Sequence, residues 1–422
     1  MHKHNTTVSR WAVLSGALLS GLAPVAGDAA EWSLQPHLAV TGEYDDNIRL
    51  TSGPHDEVWG VTLSPGLSLN YLTEVLEARA RAALDIGRYD DDSFDRDEQL
   101  YEFLARYRSS ELTTWSLRTA YQLESVLRRI SVDEAADIIV PPEEGLPVAD
   151  PLDPEASTDV GLVEREVERS TTTFAPAWTR RLTERSTVGL RYRYRDVSYD
   201  DAAGTGLNDS QRHSGAASLE YLLTERDQLI GEVSYESTRF EMDPEERTFE
   251  QWELTAGIRH LFSETLTGRF DAGFRSTSAE QGDLDEDDTG YVARARLDKR
   301  GERTILSGRA EHQVVPRSTG VLVQTDRLAL FVDHKLSQRL RATLLGEVFQ
   351  EEGLEDESGV RDRFQYEISP ALRWLWTPEL SLALAYRRLY QEIDDDNGDE
   401  DATSNAVFLT VDYRWPKIVL PW

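Results

Sequence analysis

Strict alternation of apolar and polar residues runs through most of the chain and constrains its fold more than any other feature. In residues 59–71 every odd position is apolar or proline, whereas glycine, serine, threonine and asparagine fill the even positions. The alternation returns in residues 188–194 and 266–275, where arginine and aspartate occupy polar positions. A period of two places successive side chains on opposite faces of a β-strand. The sequence therefore predicts strands with one apolar and one polar face.

The alternation repeats often enough to predict about 18 strands of roughly ten residues, the length that crosses a bilayer at the tilt of a barrel. A count of 16 also fits. The predicted strand centres fall near residues 39, 65, 81, 103, 118, 174, 191, 217, 232, 256, 270, 294, 309, 331, 344, 369, 384 and 410. The strand near residue 103 has the weakest pattern, because Leu100 and Leu104 are out of phase with Tyr101 and Phe103.

The choice between a membrane barrel and a soluble β-sandwich or propeller depends on the polar face and the strand ends. Arginines that alternate with phenylalanine do not suit a dry sandwich core. Aromatic residues and histidine gather at predicted strand ends, as in the girdles of membrane barrels; they include Tyr44, Trp59, Tyr71, Tyr107, Trp178, Tyr221, His260, Trp374 and Trp415. These features favour an all-β fold, an up-and-down antiparallel transmembrane β-barrel.

Two kinds of connection alternate between the predicted strands. Short, semi-polar connections occur at residues 182–185, 223–226, 299–302, 335–339 and 376–379, and long acidic ones at 90–97, 200–209, 241–246, 283–288, 351–362 and 394–401. Outer-membrane barrels have short periplasmic turns and longer extracellular loops. Apart from the longest, we expect each outer connection to span about a dozen residues.

The longest predicted connection, residues 125–168, mixes acidic residues with prolines and with apolar clusters at 138–142 and 146–148. Loops of such length are usually functional or disordered. The apolar clusters favour a folded constriction on the inner wall or a lid over the mouth, whereas the prolines and acidic residues favour a disordered tether. Replacing residues 132–160 with a short Gly/Ser linker should raise conductance if the constriction exists.

The N-terminal segment has the layout of a secretory signal peptide. Lys3 and Arg10 precede an apolar run over residues 11–26, and small residues follow it. We expect cleavage between about residues 26 and 30 and a single barrel domain over residues 31–422. After the signal peptide, no apolar run is long enough to form a membrane-spanning helix.

The C-terminal segment, residues 407–415, alternates apolar and polar positions and ends in aromatic residues. It resembles the signal that the barrel-insertion machinery reads. Seven residues, 416–422, follow it instead of an immediate stop. They form a short periplasmic tail, or Trp422 itself carries the signal.

The composition removes several kinds of chemistry. The absence of cysteine excludes disulfides, thiolate zinc sites, cysteine nucleophiles and a lipidated N-terminal cysteine. His213, His260, His312 and His334 share the apolar parity of their strands, which suits interfacial anchoring, and no Ser or Asp partner can be assigned to His37. We expect no catalytic site, no cofactor and no metal site, and nucleic acid is not an expected partner.

Acidic residues 394–399 invite comparison with a calcium-binding loop. With Gly398 at the sixth position of an EF-hand, Ile393 and Ser404 would occupy the first and twelfth ligand positions, so the motif fails. The acidic connections then form a solvated surface, or they bind divalent cations weakly and bridge to lipopolysaccharide phosphates.

The polar faces of the predicted strands carry arginines interspersed with carboxylates. The candidate pore-lining residues are Arg191, Arg193, Arg269, Arg275, Arg294, Arg296, Asp271, Glu232 and Glu253. Opposite charges on neighbouring strands could neutralise one another as a ladder. Alternatively, they form a basic track that guides an anionic solute or a sugar chain through an acidic mouth. The sequence leaves both interpretations open.

One hairpin carries a family resemblance. The segment Glu43-Tyr44-Asp45-Asp46-Asn47-Ile48-Arg49-Leu50, followed by residues 61–69, resembles the opening of the outer-membrane β-barrel porins associated with exopolysaccharide and exosortase gene clusters. The resemblance implies a Gram-negative outer-membrane location and a part in polysaccharide export or surface assembly, and it supplies no catalytic residues.

The combined expectation is a porin-like channel or an export barrel for a hydrophilic solute such as an exopolysaccharide. A non-conducting scaffold for envelope partners is the first alternative, and a barrel enzyme is the second. The expected partners are outer-membrane lipid and lipopolysaccharide, the insertion machinery and components of polysaccharide export.

Overall fold

The computed structural model describes residues 30–55, 57–127, 166–200, 202–242, 246–281, 284–354, 362–394 and 400–421. Within these ranges the chain forms 18 long strands, a short nineteenth strand and one turn of 3-10 helix, Asp92–Phe94. The strands are β1 Glu31–Asp45, β2 Val58–Leu72, β3 Leu76–Tyr89, β4 Arg96–Ser110, β5 Thr113–Ser125, β6 Glu168–Arg181, β7 Ser186–Asp200, β8 Ser210–Leu222, β9 Asp227–Phe240, β10 Arg247–Ser263, β11 Leu266–Gln281, β12 Leu284–Arg300, β13 Thr304–Pro316, β14 Leu322–Lys335, β15 Leu340–Gly353, β16 Asp362–Leu375, β17 Leu380–Asp394, β18 Glu400–Arg414 and β19 Ile418–Pro421. The predicted signal peptide lies outside the described residues, apart from Ala30.

The long strands form one closed antiparallel sheet. Each pairs with its neighbours in the chain, and β18 pairs with β1 along a closing seam that runs from His37 opposite Arg414 to Asp45 opposite Ala406. The predicted up-and-down barrel of 18 strands is confirmed. The described chain contains no helix that is both long enough and apolar enough to cross a membrane.

The strands are longer than predicted, with 13 to 17 residues instead of about ten. The reason is that strand pairing continues past the apolar segment into polar sequence at both ends. In the β11–β12 hairpin, for example, Asp287 and Asp288 pair with Ser278 and Thr277. Backbone hydrogen bonds between strands do not require an apolar face, and they satisfy the polar groups of the main chain wherever the strands run.

The two faces of the sheet follow the predicted parity. Phe274 is 77% exposed on the outside of the barrel, whereas the next residue, Arg275, is 5% exposed on the inside. Leu190 and Leu254 are likewise outward and exposed, whereas Asp271 and Glu253 are inward and buried. A soluble sandwich buries its apolar face. This closed single sheet presents its apolar face outward, as a membrane barrel does.

Two belts of aromatic residues bound the outward apolar band. At the end where β1 begins and β18 finishes, Trp32 contacts Tyr71 with ring centroids 4.5 Å apart, and Trp115 contacts Trp178. At the opposite end the pairs are Tyr44–Trp59, Tyr235–Trp252 and Tyr366–Tyr390. Rings in such belts lie at the two interfaces of a bilayer.

The connections differ between the two ends of the barrel. At the short-turn end, where the described termini lie, two to four residues join successive strands; at the long-connection end, the connections include residues 46–57, 126–167 and 201–209. The expectation of about a dozen residues in every other outer connection is wrong. Only residues 282–283 separate β11 from β12, and residues 317–321 separate β13 from β14. Most of the predicted 283–288 connection belongs to β12 instead, because Asp287 and Asp288 continue the pairing with β11.

Two predictions about the long connections concern residues outside those described. The predicted constriction or tether lies largely in residues 128–165, and the acidic segment compared with a calcium loop lies mostly in residues 395–399. Both stay predictions.

The C-terminal residues, which the sequence assigned to a short periplasmic tail or to the insertion signal, include a short strand. After Pro416 and Lys417 the chain resumes pairing as β19, with Leu34 opposite Ile418 and Glu31 opposite Pro421. The pairing of β18 with β1 ends at His37, so the first residues of β1 would otherwise present unpaired backbone groups. The tail therefore completes the closing seam.

Candidate functional site

A cavity of about 710 Å³ lies in the lumen against the inner faces of β5 to β14. Its lining contains ten arginines and five carboxylates; the arginines are Arg118, Arg169, Arg191, Arg193, Arg195, Arg212, Arg269, Arg294, Arg296 and Arg309, and the carboxylates are Glu232, Glu236, Glu253, Asp271 and Glu311. These residues meet because inward positions recur at every second residue and because the register places neighbouring strands level with one another. For example, Asp271 lies opposite Arg294, which in turn lies opposite Glu311.

Eight of the nine candidate residues from the sequence line this cavity, and Arg275 does not. Arg275 faces inward, but it lies nearer the long-connection end, where its Nη1 is 2.7 Å from Asp288 and 3.2 Å from the hydroxyl of Thr277. It therefore holds the β11–β12 hairpin together and does not belong to the cavity wall.

Two arginines of the cavity wall donate hydrogen bonds to carboxylates that lie two strands away. Arg191 of β7 donates to Glu232 of β9 across 2.7 Å, passing over the small residue Ala216 of β8. Arg294 of β12 similarly donates to Glu253 of β10 across 2.8 Å. These contacts form a lateral network of charge-assisted hydrogen bonds along the inner wall.

Other pairs connect neighbours on one strand. Nε of Arg269 lies 2.8 Å from Asp271, and Nε of Arg296 lies 2.7 Å from Asp298. Residues two apart on a strand share a face, so their side chains can meet. The ladder interpretation of the lumen charges thus has a structural basis in named pairs.

The distribution of charge along the cavity wall is uneven. The lining residues from β6, β7 and β8 include five arginines and no carboxylate. The carboxylates that face them come from the flanking strands: Glu124 of β5 binds Arg169, and Glu232 and Glu236 of β9 contact Arg191 and Arg212. Arg191 is 55% exposed despite its ion pair. The β7 side of the cavity therefore presents guanidinium groups to the water of the lumen.

Two apolar clusters lie at the long-connection end of the barrel. The first mouth cluster joins strand ends and connections and consists of Ile48, Val58, Tyr89, Phe94, Val126, Leu127, Val167 and Leu207. The second mouth cluster consists of Phe240, Phe249, Ala279, Val314 and Leu322, with Met242 and Leu354 packed against it. Phe240 and Val314 also line the cavity. Burial of these side chains draws the connections inward.

A backbone hydrogen bond links connections that are far apart in the barrel. The N–H of Asn208, between β7 and β8, donates to the carbonyl of Ser318, between β13 and β14, across 2.9 Å. Gly320 adopts a φ of +79° in the same connection, and a Cβ at this position would lie 2.8 Å from Sδ of Met242. The two connections therefore meet over the cavity side of the mouth.

Sequence reasoning missed these mouth residues. Ile48, Phe94 and Leu207 are isolated apolar residues in polar connections, and this isolation is the one signal that could have indicated them. A second group missed from the sequence, Ala329, Phe331, Leu345, Ala371, Ala385, Ala406 and Phe408, forms an apolar patch on the inner face of β14 to β18. The alternation pattern alone suggests polar residues at such inward positions.

Comparison with protein families identifies the class of this barrel. The model of the family described as "Putative beta-barrel porin 2" matches residues 23–415. The chain belongs to this family. A comparison with curated proteins finds no match.

Several solved structures are similar to this chain over most of its length. The FrpB iron transporter of Neisseria meningitidis (F3-3 variant) is 8% identical with a TM-score of 0.46, over 95% of this chain and 83% of the other. OccAB2 of Acinetobacter baumannii is 10% identical with a TM-score of 0.45, over 91% of this chain and 98% of the other. The alcaligin outer-membrane receptor FauA of Bordetella pertussis is 11% identical with a TM-score of 0.41, over 91% and 76%.

His213, His260, His312 and His334 of this porin-family barrel lie on its outer face, as their sequence parity predicts. His213 contacts the hydroxyl of Tyr192, and His312 lies 2.7 Å from Asp326 while its ring stacks on Tyr291. His260 contacts Asp227 in the same way at the short-turn end. In the part of the chain that the structure describes, no group of three or more histidine or acidic residues is placed to hold a metal ion.

Proposed function

We propose that this protein is a channel in the outer membrane of a Gram-negative bacterium, through which hydrophilic solutes cross. The observation that carries the proposal is the combination of two faces in one closed sheet. An apolar band between two aromatic belts suits lipid, and a charged inner wall suits water. Barrels of 16 to 18 strands are wide enough to leave an aqueous passage.

The solute is proposed to be hydrophilic because the cavity wall offers many charged and hydrogen-bonding groups. Guanidinium groups alternate there with hydroxyls and carboxamides, including Ser214, Ser234 and Gln251. Such groups can bind carboxylates, phosphates or sugar hydroxyls. An exopolysaccharide chain is one solute with this chemistry, and export of such a chain is compatible with the proposal.

A non-conducting scaffold is the second candidate function, and the two mouth clusters are the observation that favours it. Apolar side chains from several connections occupy the long-connection end, where an open porin would be filled with water. If these clusters seal the mouth, the barrel does not conduct, and it would act through residues at its two ends that bind other envelope components.

Single-channel recording from the purified, refolded protein in planar bilayers tests the proposal. We expect discrete conductance steps from preparations whose strand content and resistance to protease show a folded barrel. A folded, inserted barrel without conductance steps would overturn the channel and support the scaffold. Fractionation of cell envelopes tests the location, and recovery of the protein in the soluble periplasm would overturn it.

A further inference from the structure

The charges of the barrel are distributed unevenly along its axis. The sequence between strands at the long-connection end contains 31 carboxylates and six arginines. After Lys3 the chain has three lysines, Lys299, Lys335 and Lys417, and all three lie at the short-turn end together with Arg181 and Arg300. The sequence between strands at the short-turn end contains seven carboxylates, four arginines and Lys417, so its charge is nearly balanced. An anion is therefore repelled much more strongly from the long-connection end than from the short-turn end.

The arginine-lined cavity lies between these two ends. Near the long-connection end its wall reaches Phe240, Val314 and Ser318, which belong to the second mouth cluster or to the connection beside it. In the other direction it extends to Arg269 and Arg296, a few residues from the short turns. The packed connections and the large acidic charge at one end, and the nearly balanced charge at the other, favour entry of an anion from the short-turn end.

We propose that this cavity is a binding site for a solute that carries two or more acidic groups, and that the solute reaches it from the short-turn end. The inference rests on the proposed channel function and specifies its substrate class. The β7 face is the centre of the site, because Arg191, Arg193 and Arg195 project from it at successive inward positions.

The spacing of these arginines determines the preferred ligand. Inward positions two residues apart on a strand are separated by roughly 7 Å, so Arg191 and Arg193 suit acidic groups at a similar distance. A guanidinium binds a carboxylate or phosphate through paired N–H donors. A monovalent anion uses only one of these contacts, whereas a polycarboxylate or polyphosphate can use several at once.

The site also contains a built-in competitor for the ligand. Glu232 accepts a hydrogen bond from Arg191, and its side chain is mostly buried whereas that of Arg191 is more than half exposed. A bound acidic group must share or replace this carboxylate. Neutralising Glu232 should therefore strengthen anion binding, and neutralising Arg191 and Arg193 should weaken it.

The test uses citrate as a polyvalent anion and acetate as a monovalent control. Citrate on the short-turn side of bilayer-inserted protein should block the current at lower concentration than citrate on the other side, and acetate should not block. The double variant Arg191→Gln/Arg193→Gln should need about tenfold more citrate, the scale of one lost charge-assisted contact. Glu232→Gln should need less citrate than the parent.

A matched control is Arg341→Gln, which removes an inward arginine of β15 outside the cavity lining. It should leave the half-blocking citrate concentration within about twofold of the parent, since its charge is distant from the site. If Arg341→Gln raises the half-blocking citrate concentration as much as Arg191→Gln/Arg193→Gln does, citrate responds only to the total basic charge of the lumen, and the proposal is overturned.

Calorimetric titration of the detergent-solubilised protein with citrate separates failure of this inference from failure of the channel. A barrel that binds citrate through Arg191 and Arg193 but does not conduct would support the proposed binding site and overturn the proposed channel function. A barrel that conducts, but neither binds citrate nor is blocked by it, would support the channel function and overturn the proposed binding site. Block that is stronger from the long-connection side would overturn the proposed direction of entry.

Discussion

The guanidinium of Arg387 in β17 lies 2.8 Å from the carboxylate of Asp45 in β1, so that this pair bridges the two strands on either side of β18. Ala406 of β18 is opposite both residues and is small enough to let them meet. Both charged side chains are buried, and Asp45 also accepts a hydrogen bond from Ser404. The pair therefore reinforces the seam at which the barrel closes.

Removal of one partner of this pair should destabilise the barrel. Arg387→Gln leaves Asp45 buried without its cation, and we expect the free energy of unfolding to fall by about 3 kcal/mol. Urea unfolding in detergent measures the change. The matched control is Asp97→Asn, which breaks the exposed pair with Arg88 and should leave the urea midpoint unchanged. Similar midpoints for the two variants would mean that the seam pair adds nothing to stability.

The two faces of β7 should respond differently to charge. Leu190 is 52% exposed on the outer face, and Arg191 projects into the cavity. Leu190→Arg places a charge against lipid at a cost of about 2–4 kcal/mol near the bilayer centre, whereas Arg191→Leu changes only the lumen. We therefore expect the first variant to insert into vesicles less completely. Equal insertion yields in a refolding titration would show that the outer face of β7 does not contact lipid.

The strands of this barrel could be predicted because each strand carries its own pattern. The parity that places Leu190 outside and Arg191 inside is a local property with a period of two. Even the weakest strand, β4, was predicted correctly, although Leu100 and Leu104 broke its pattern. The structure shows why: both leucines lie on the inner face, where Leu104 is 2% exposed.

The partners within the site could not be predicted to the same degree. Alternation places Arg191 and Glu232 in the lumen, but their contact depends on the register of β7, β8 and β9, which the pattern does not determine. The mouth clusters and β19 were missed for a related reason. Their residues lie at strand ends, in connections or after Pro416, where the alternation does not indicate a contact between distant segments.

Glu166, next to β6, makes the stability of the barrel depend on pH. Burial raises the pKa of this carboxyl from an ordinary value of 4.5 to about 7; Arg96 opposes the rise, and Glu98 adds to it. The folded state thus holds the proton more tightly than the unfolded chain. This contribution to stability is fully present below pH 4.5 and is lost as the pH rises to about 7.

Glu166→Gln should consequently raise the urea midpoint at pH 8 and change it little at pH 4.5, because the amide removes the cost of a buried charge. Urea unfolding at the two pH values measures this difference. Glu111→Gln, in the exposed turn between β4 and β5, is the control and should change the urea midpoint equally at pH 4.5 and pH 8. A Glu166 variant with the same midpoint shift at both pH values would contradict the assignment.

Deletion of residues 416–422 should weaken closure of the barrel. The deletion removes β19 and leaves the backbone of Ser33 and Leu34 without partners on that side of β1. Unpaired main-chain groups near the membrane are costly. We expect slower folding into vesicles and a lower urea midpoint, measured against a variant in which only Lys417→Gln removes the contact with Glu31. Folding as fast as the parent would show that β19 does not support the seam.

The contact between Gly320 and Met242 should set the width of the mouth. Gly320 has a φ of +79°, and a side chain there would collide with Met242 of the second mouth cluster. Gly204 has a similar φ of +82°, but a Cβ at that position meets no atom within 4 Å. Valine at either position costs about 1–3 kcal/mol of backbone strain. Only Gly320→Val also displaces Met242 and separates the connections that meet over the cavity.

Gly320→Val should therefore raise single-channel conductance above that of Gly204→Val, which serves as the strain-matched control. If both variants conduct like the parent, the packed connections at this end do not limit the current, and the narrowest part of the pathway lies at the arginine-lined wall below them.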